Sequence, residues 1–427
     1  MSTRVLSVAS QATAAVRGAA PKRGFSSISR ASYSLSSSSS SSTSDEDTVE
    51  IPEVLNSQET LEFCGLTPEV SSVIFDSWRR LQQNPGQLGS GNDIVIEAKH
   101  YVRKMAEREG DAWLPEHDWR RALTAMGVSQ RLSDAILNTN YTHVRKTASA
   151  SHWALDTIDL AWEFLEGLDK RIRKKQNDNA RELVTPSPSV LPRPVIPNQQ
   201  LGLISSYREP PVLKLATMSP VPQSIEGRTL LYKGGSMTRL VKVFKDDGSL
   251  DIHELSSTPP TDFHRQRETL LYLSKHYDVA QTYANFAADR VPAEEGAILH
   301  FAVPSALLED GIKIFGPDWQ QLVFWSRGRY TEDVDSVPTH LAHYTQAPLL
   351  IGCIYGMPNQ KVARLESPPD LTGQYMKTRS GGNALQHCFQ TKEIKMRLQE
   401  ECKGWVWYQS MRYNRDMGYR FLPTDES

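Results

Sequence analysis

A proline-rich segment divides this chain of 427 residues into two parts with different sequence patterns. Prolines recur between Thr185 and Pro211. Because proline fixes one backbone angle and has no amide proton, neither a helix interior nor a central strand tolerates such a run. We therefore predict a semi-rigid linker over 177–219, with one domain before it and one after it. Two domains also agree with a chain longer than one hydrophobic core usually supports.

The part before the linker has the pattern of helices. Thr67 and Leu114 each stand directly before a proline and an acid, an arrangement typical of a helix start. Ser129 is a further candidate cap. A last, longer apolar stripe ends in the basic run 170–175, where positive charge complements the helix dipole. We predict an all-α domain over 58–176 that binds an unknown protein partner or covers a site, because it contains no cluster of catalytic residue types.

The N-terminal segment has the composition of an import signal. Residues 1–44 contain no acidic side chain and are rich in arginine, serine and alanine, as mitochondrial transit peptides are. Arg23, two residues before Phe25, resembles a processing site, so we predict cleavage after Phe25 and import into the mitochondrial matrix. A disordered tail with no destination would have a similar composition, and the serine tract at 36–42 fits either alternative. We expect disorder up to residue 57.

The charge balance and the cysteines argue against several classes of protein. A formal net charge of −2 at pH 7 argues against general nucleic-acid binding, which relies on clustered Lys and Arg. No apolar stretch approaches the roughly 20 residues that cross a bilayer, so we expect no membrane span. The cysteines lack metal-ligand spacing, so we expect buried thiols and no metal site. They are Cys64, Cys353, Cys388 and Cys402.

After the linker the pattern changes to short apolar runs separated by turns, which predicts a β-rich α+β domain over 220–427. We predict helices at 279–288 and 391–399. The predicted strands are 229–232, 240–244, 270–273, 297–303, 322–325, 349–355, 362–365 and 384–389.

Three of these runs carry residue types that suggest a binding cleft. The first ends in Lys233, Gly234, Gly235 and Ser236, and glycine allows close approach to a backbone. The second contains Tyr272 and Ser274 and is followed by small residues and Tyr283 at helical spacing. The third, near the C-terminus, contains Gln386.

In this order, the three runs resemble the motifs of the ADP-ribosyltransferase-like fold, in its diphtheria-toxin and poly-ADP-ribose-polymerase branch. The resemblance covers about residues 226–400. Lys233 with Gly234 stands where that branch has His-Gly. Asp262 and the residue after it precede the tyrosine-bearing strand, and Gln386 stands where the branch has Glu or, in relatives, Gln.

The resemblance implies that NAD is the substrate or ligand. Stacking of Tyr272 and Tyr283 on the nicotinamide ring is expected from the affinity of aromatic faces for planar rings. The implied catalytic residues are Lys233, which would donate to a ribose hydroxyl, and Gln386, which would accept from one. The implied cofactor-binding residues are Gly234, Ser236, Tyr272, Ser274 and Tyr283.

Two departures from the family pattern leave the activity open. Glutamine at 386 lacks the negative charge of glutamate, and Lys233 places a cation beside a ribose that becomes cationic during bond cleavage. Mono-ADP-ribosyl transfer or NAD glycohydrolysis is one alternative. A catalytically inactive scaffold for protein–protein interaction is the other. RNA 2′-phosphate transfer to NAD, a third hypothesis, requires a strongly basic cleft that the sequence does not indicate.

Two further stretches combine aromatic and basic residues. The stretch 318–329 predicts a buried strand, and its Arg327 is expected to be solvated or to meet a phosphate. The C-terminal tail from Trp405 onward has the alternation of single-strand nucleic-acid binders. Packing of this tail on the sheet or on the helical domain agrees better with the acidic chain.

Overall fold

The computed structural model describes residues 24–29, 48–83, 92–114, 116–182, 216–245, 247–257, 259–266, 269–328, 337–411 and 417–421. Together they form a mixed α/β fold with a layer of helices and one large sheet. The predicted transit peptide up to residue 23 and the interior of the predicted linker, 183–215, lie outside the described residues.

Two short strands precede the helices and pair antiparallel: β1 (Phe25–Ser29) and β2 (Thr48–Pro52). Ile28 and Ile51 of this pair are buried in the core of the helical layer. The disorder expected up to residue 57 therefore does not hold for these strands, because their apolar side chains have a core to enter. Cleavage after Phe25, the first residue of β1, would leave the other four residues of the strand on the chain.

The helical layer contains α1 (Gln58–Phe63), α2 (Pro68–Gln83), α3 (Ile94–Glu109), α4 (Trp119–Ala125), α5 (Gln130–Leu137), α6 (Thr142–Arg145) and α7 (Ala150–Glu182). The caps predicted at Thr67 and Ser129 are confirmed, because each hydroxyl accepts from a backbone amide three residues later, at 3.4 Å. The helix start predicted at Leu114 is wrong. Nδ1 of His117 accepts from the amides of Trp113 and Leu114 and holds a turn there.

The sheet is built from β3 (Ala216–Pro220), β4 (Arg228–Ser236), β5 (Ser256–Ser257), β6 (Leu270–Ser274), β7 (Gly296–Pro304), β8 (Ile312–Ile314), β9 (Leu349–Cys353), β10 (Leu385–Phe389), β11 (Val406–Ser410) and β12 (Met417–Phe421). The strand order is β3-β12-β11-β7-β4-β6-β10-β9-β8, with β5 beside β6. The sheet is mixed because β8 and β9 are parallel whereas the other pairs are antiparallel.

The helices of this half are α8 (Met237–Leu240), α9 (Tyr277–Arg290), α10 (Ser305–Glu309), α11 (Gly316–Arg327), α12 (Ala342–Gln346), α13 (Asn359–Val362) and α14 (Lys392–Glu401). The linker was predicted too long at both ends, because α7 continues to Glu182 and β3 begins at Ala216.

Three of the predicted strands are wrong. Residues 322–325 lie inside α11, which has a proline in its first turn and Asp318 as a first-turn acid. Residues 240–244 form a helical turn after α8, and 362–365 form a turn at the end of α13. Each is a short buried apolar run, which a strand and a buried helical turn share.

The two halves of the sheet meet weakly between β4 and β6. Strand β4 pairs with β7 over nine residues but with β6 only through Tyr232 and Ser274. Helix α9 covers this region and packs closely on β4, because a Cβ at Gly234 would lie 1.7 Å from the carbonyl oxygen of Ala280. The separation of two central strands under a helix leaves space between them.

The helical layer packs directly on α9. Its core includes Phe286 and Ala287, and the rings of Trp153 and Phe286 lie 4.9 Å apart, edge to face. Asp156 of α7 pairs with Arg239 at 2.6 Å and with Arg290 at 2.7 Å. The helical layer is therefore held against the sheet half by both apolar and ionic contacts.

The C-terminal tail completes the sheet. Trp407 and Tyr408 of β11 are buried, and β11 pairs with β7 and β12. The described part of the tail is therefore part of the sheet itself, whereas packing across the sheet or on the helical domain was expected. Among the described helices none is long and apolar enough to cross a membrane.

Candidate ligand-binding cavity

A cavity of about 500 Å³ lies where β4 and β6 separate. Its walls come from β4, β6 and β10, from α9, from Ser257 and residues 259–262 and from the start of α7. Six of the seven predicted site residues line it: Lys233, Gly234, Tyr272, Ser274, Tyr283 and Gln386. Ser236 does not line it, because it lies two residues beyond Gly234 on β4, a distance of about 7 Å along the strand. Its buried hydroxyl pairs with no described residue.

Gln386 is buried and held by two acceptors. Its Nε2 donates to Oδ2 of Asp262 at 2.6 Å and to the carbonyl oxygen of Cys353 at 3.3 Å. Because only the NH₂ end of an amide can face two acceptors, this fixes the orientation of the side chain. Its Oε1, to which no described residue donates, is left as the available acceptor.

Among the described residues that line the cavity, Asp262 is the acid. Its side chain is 4% exposed, and Oδ2 also accepts from the backbone amide of Tyr355 at 3.0 Å. Oδ1 pairs with Nη2 of Arg327 at 2.8 Å. The carboxylate therefore touches Gln386 on one side and a guanidinium on the other.

Arg327 is a buried cation rather than the solvated charge expected from the sequence. Its side chain is 14% exposed and lies 5.2 Å from the ring centre of Tyr355. Nη1 donates to the carbonyl oxygen of Met357 at 3.1 Å, whereas the buried Nε donates to no described residue. Arg327 lies at the end of α11, which brings its side chain to the cavity. The sequence predicted a strand here, and for that reason the burial of Arg327 was not expected.

Lys233 of β4 lines the cavity with a long, cationic side chain. Side chains alternate along a strand, so Lys233 and its neighbour Gly234 start on opposite faces. The ammonium group ends near β6, 3.5 Å from the carbonyl oxygen of Tyr272. None of the described acids pairs with it. Burial without a counter-charge lowers the pKa of Lys233 to about 8.

The two predicted stacking tyrosines are fixed in different ways. The hydroxyl of Tyr272 donates to Oγ1 of Thr261 at 2.8 Å, and burial raises its pKa well above the ordinary value. Tyr283 lies on the covering helix and lines the cavity together with Thr147 of the helical layer. Burial raises the pKa of Tyr283 to about 12, so both rings are neutral at physiological pH.

Ser274 and Gly234 have structural roles besides facing the cavity. The hydroxyl of Ser274 donates to the carbonyl oxygen of Leu385 at 3.3 Å and accepts from the amide of His276 at 3.0 Å. Gly234 is required by the close approach of α9 described above. The predicted role of its missing side chain, access for a ligand amide, stays a prediction.

One wall of the cavity was not predicted from the sequence. Thr147, Ser149, His152 and Trp153 of the helical layer line it, at the start of α7. The sequence placed a helix there but gave no sign that its N-terminal turn meets β4 and α9. The contact depends on residues more than 100 positions apart, such as Trp153 and Phe286.

In the part of the chain that the structure describes, no group of three or more His, Cys, Asp and Glu side chains is arranged to hold a metal ion. The four cysteines are free and buried, as predicted.

Comparison of the chain with protein-family models, with curated proteins and with solved structures finds no match.

Proposed function

We propose that this cavity binds NAD and that the chain is an ADP-ribosyltransferase-like protein. One observation carries the proposal. Lys233, Tyr272 and Gln386 belong to three motifs spread over more than 150 residues, and they line a single cavity on three neighbouring strands. Residues that bind one ligand have to lie at one site, and the proximity of these three supports the proposal.

The cavity has properties that suit the nicotinamide end of NAD. Its volume falls within the roughly 300–1,000 Å³ of ordinary ligand sites. Tyr272 and Tyr283 supply neutral aromatic surfaces for a planar ring. Oε1 of Gln386 is an acceptor held in one orientation, as recognition of a ribose hydroxyl requires.

The reaction is glycosyl transfer from NAD. The bond between nicotinamide N1 and ribose C1′ breaks with its electron pair going to nicotinamide, and water or an acceptor nucleophile then bonds to C1′ and loses a proton to solvent. A negative group near the ribose stabilises the intervening positive charge. Among the described lining residues Asp262 is the acid that can do so, through its contact with Gln386.

A second candidate function is NAD binding without cleavage, in a protein whose helical layer serves interaction with a partner. The observation that favours it is the charge around the cavity. Arg327 offsets the carboxylate of Asp262, and Lys233 adds an unpaired cation. A net positive site disfavours a cationic ribose.

Nicotinamide release from NAD by the full chain separates the two. Release that exceeds the rate in buffer, and that falls on the change Asp262→Asn, supports transfer or glycohydrolysis. Binding without release supports the second function. The absence of both binding and release contradicts both functions. Asp134→Asn, at an exposed position that does not belong to the cavity lining, serves as the matched control.

We also propose the mitochondrial matrix as the compartment, on the composition of residues 1–44. Residues 1–57 fused to a fluorescent protein test this. Matrix fluorescence, and its loss when Arg17 and Arg23 are replaced by Gln, is the expected result, and diffuse fluorescence of the unchanged fusion contradicts it.

A further inference from the structure

Lys233 carries a charge at the cavity that pairs with none of the described acids. Its contact with a described group is one long hydrogen bond, 3.5 Å to the carbonyl oxygen of Tyr272. A cation in such a place is costly unless an anion approaches it. The protein supplies no such anion from its described acids, so the ligand is the natural source.

Arg327 is a second cation that lines the same cavity. Two of its nitrogens are engaged, with Asp262 and with the carbonyl oxygen of Met357, and both contacts hold the guanidinium in place. The buried Nε has no described partner. A guanidinium positioned in this way is suited to a phosphate oxygen, because its N–H groups lie in one plane with fixed directions.

The net charge of the described residues that line the cavity also favours an anion. The described lining contains two cationic side chains, Lys233 and Arg327, against one acid, Asp262. The start of α7 also faces the cavity, but its amide groups are already bonded. The amide of Ala150 donates to the carbonyl of Ala112, and that of Ser151 to Asp111 at 3.0 Å. The side chains rather than the helix start therefore supply the donors for an anion.

We propose that Lys233 and Arg327 bind a phosphate group of the ligand, so that the cavity takes a phosphorylated nucleotide rather than a nucleoside. For the identity of that nucleotide the inference rests on the proposed function. A nicotinamide dinucleotide has two possible sources of the phosphate, the pyrophosphate bridge and, in NADP, the ester on the ribose.

Calorimetric titration of the full chain tests the proposal with four probes: NAD, NADP, nicotinamide riboside and inorganic pyrophosphate. The change Lys233→Met removes the charge and keeps a long apolar side chain. We expect it to weaken the binding of pyrophosphate and of at least one of the two dinucleotides about tenfold or more, because a charge-assisted hydrogen bond is lost, and to leave nicotinamide riboside unaffected. Lys233→Arg retains part of the affinity. Lys313→Met, at an exposed position on β8, is the matched control and changes nothing.

The two sources of phosphate give different results. If the ribose ester is bound, NADP binds about tenfold tighter than NAD, and Lys233→Met removes that preference. If the pyrophosphate bridge is bound, NAD and NADP bind alike and lose affinity equally on Lys233→Met. Either pattern supports the proposal.

Proton uptake on binding is a readout that a purely structural lysine would not give. At about pH 8.5 the free ammonium is partly deprotonated, and an approaching phosphate raises its pKa, so binding takes up protons. Titration in two buffers of different ionisation enthalpy measures this. Burial lowers the pKa of His152 and raises those of the four tyrosines, so these five do not compete there. Among the described residues that line the cavity with Lys233, the titratable and charged groups are His152, Tyr232, Asp262, Tyr272, Tyr283, Arg327 and Tyr355.

The failures of the two proposals are distinguishable. If NAD and NADP bind and Lys233→Met leaves both affinities unchanged, the phosphate site is wrong and the proposed function stands. If pyrophosphate binds in a Lys233-dependent way and no nicotinamide compound binds, the phosphate site stands and the proposed function is wrong. If no probe binds in a Lys233-dependent way, the phosphate site is overturned.

Discussion

Nε2 of Gln386 lies 2.6 Å from Oδ2 of Asp262, although the two residues are 124 positions apart in the chain. This contact explains why glutamine rather than glutamate occupies position 386. A glutamate there would place a second carboxylate against Asp262 and against the carbonyl oxygen of Cys353. Among the described residues that line the cavity, the negative charge lies on Asp262, in a neighbouring segment.

The change Gln386→Glu tests this relationship through stability. Two carboxylates at this distance repel each other, so the pKa of the introduced glutamate is raised in the folded state. A raised folded pKa gives stability that is present at low pH and lost as the pH rises. We expect a loss of about 3 kcal/mol at pH 8 and a clearly smaller loss at pH 5, measured by urea unfolding.

Gln386→Met is the control for that comparison, because it removes the amide without adding a charge. Its cost is expected to be the same at both pH values. An equal cost of Gln386→Glu at pH 5 and pH 8 would show that Asp262 and residue 386 are not in contact.

Glu294 gives the folded protein a pH dependence of its own. Burial raises the pKa of this carboxyl from 4.5 to about 7, and its Oε2 meets no described donor. The unfolded chain loses this proton near pH 4.5 and the folded chain near pH 7, so stability falls by about 3 kcal/mol as the pH rises between these values.

Glu294→Gln removes this slope. Unfolding free energies of the wild type and the variant, measured from pH 4.5 to pH 8, are expected to converge or cross in favour of the variant as the pH rises. Glu254→Gln, at an exposed position, should run parallel to the wild type. Parallel curves for Glu294→Gln would contradict the burial of an ionisable Glu294.

Asp156 connects the helical layer to the sheet half. Asp156→Asn leaves Arg290, which is 4% exposed, without its charge partner, and weakens the contact with Arg239. We expect a loss of about 2 kcal/mol in unfolding free energy, less than for a fully buried pair because Asp156 is 21% exposed. Asp159→Asn on the same helix breaks a more exposed pair with Lys99 and should cost less than about 1 kcal/mol. Equal costs would mean that the connection through Asp156 is not significant.

Local sequence patterns located much of the cavity but not its enclosure. Helix α9 and the strands that carry Lys233, Tyr272 and Gln386 follow from apolar runs, glycines and helical spacing, all within short windows. The run 322–325 was misassigned because a few buried apolar residues fit a strand and a helix alike. The proline and acid in the first turn of α11 were the signal that would have corrected it.

Contacts between distant segments could not be predicted. In the sequence, Asp262 stands out only as part of a motif. Its pairing with Arg327 and Gln386 depends on how α11 and β10 pack on either side of Asp262. The same holds for the wall formed by the start of α7. Such contacts are set by the tertiary fold and leave no periodic trace in one sequence.

The most direct test of NAD binding in this cavity compares two tyrosines on one helix. Tyr283 lines the cavity, whereas Tyr277 lies on the same helix and packs against His300 outside it. Both are partly buried, so replacement by Ala removes a similar volume from each. Calorimetric titration of NAD into the full chain is expected to show binding by the wild type and by Tyr277→Ala, and an affinity at least several-fold weaker for Tyr283→Ala. No binding by the wild type, or equal affinity of the two variants, would contradict the assignment of this cavity to NAD.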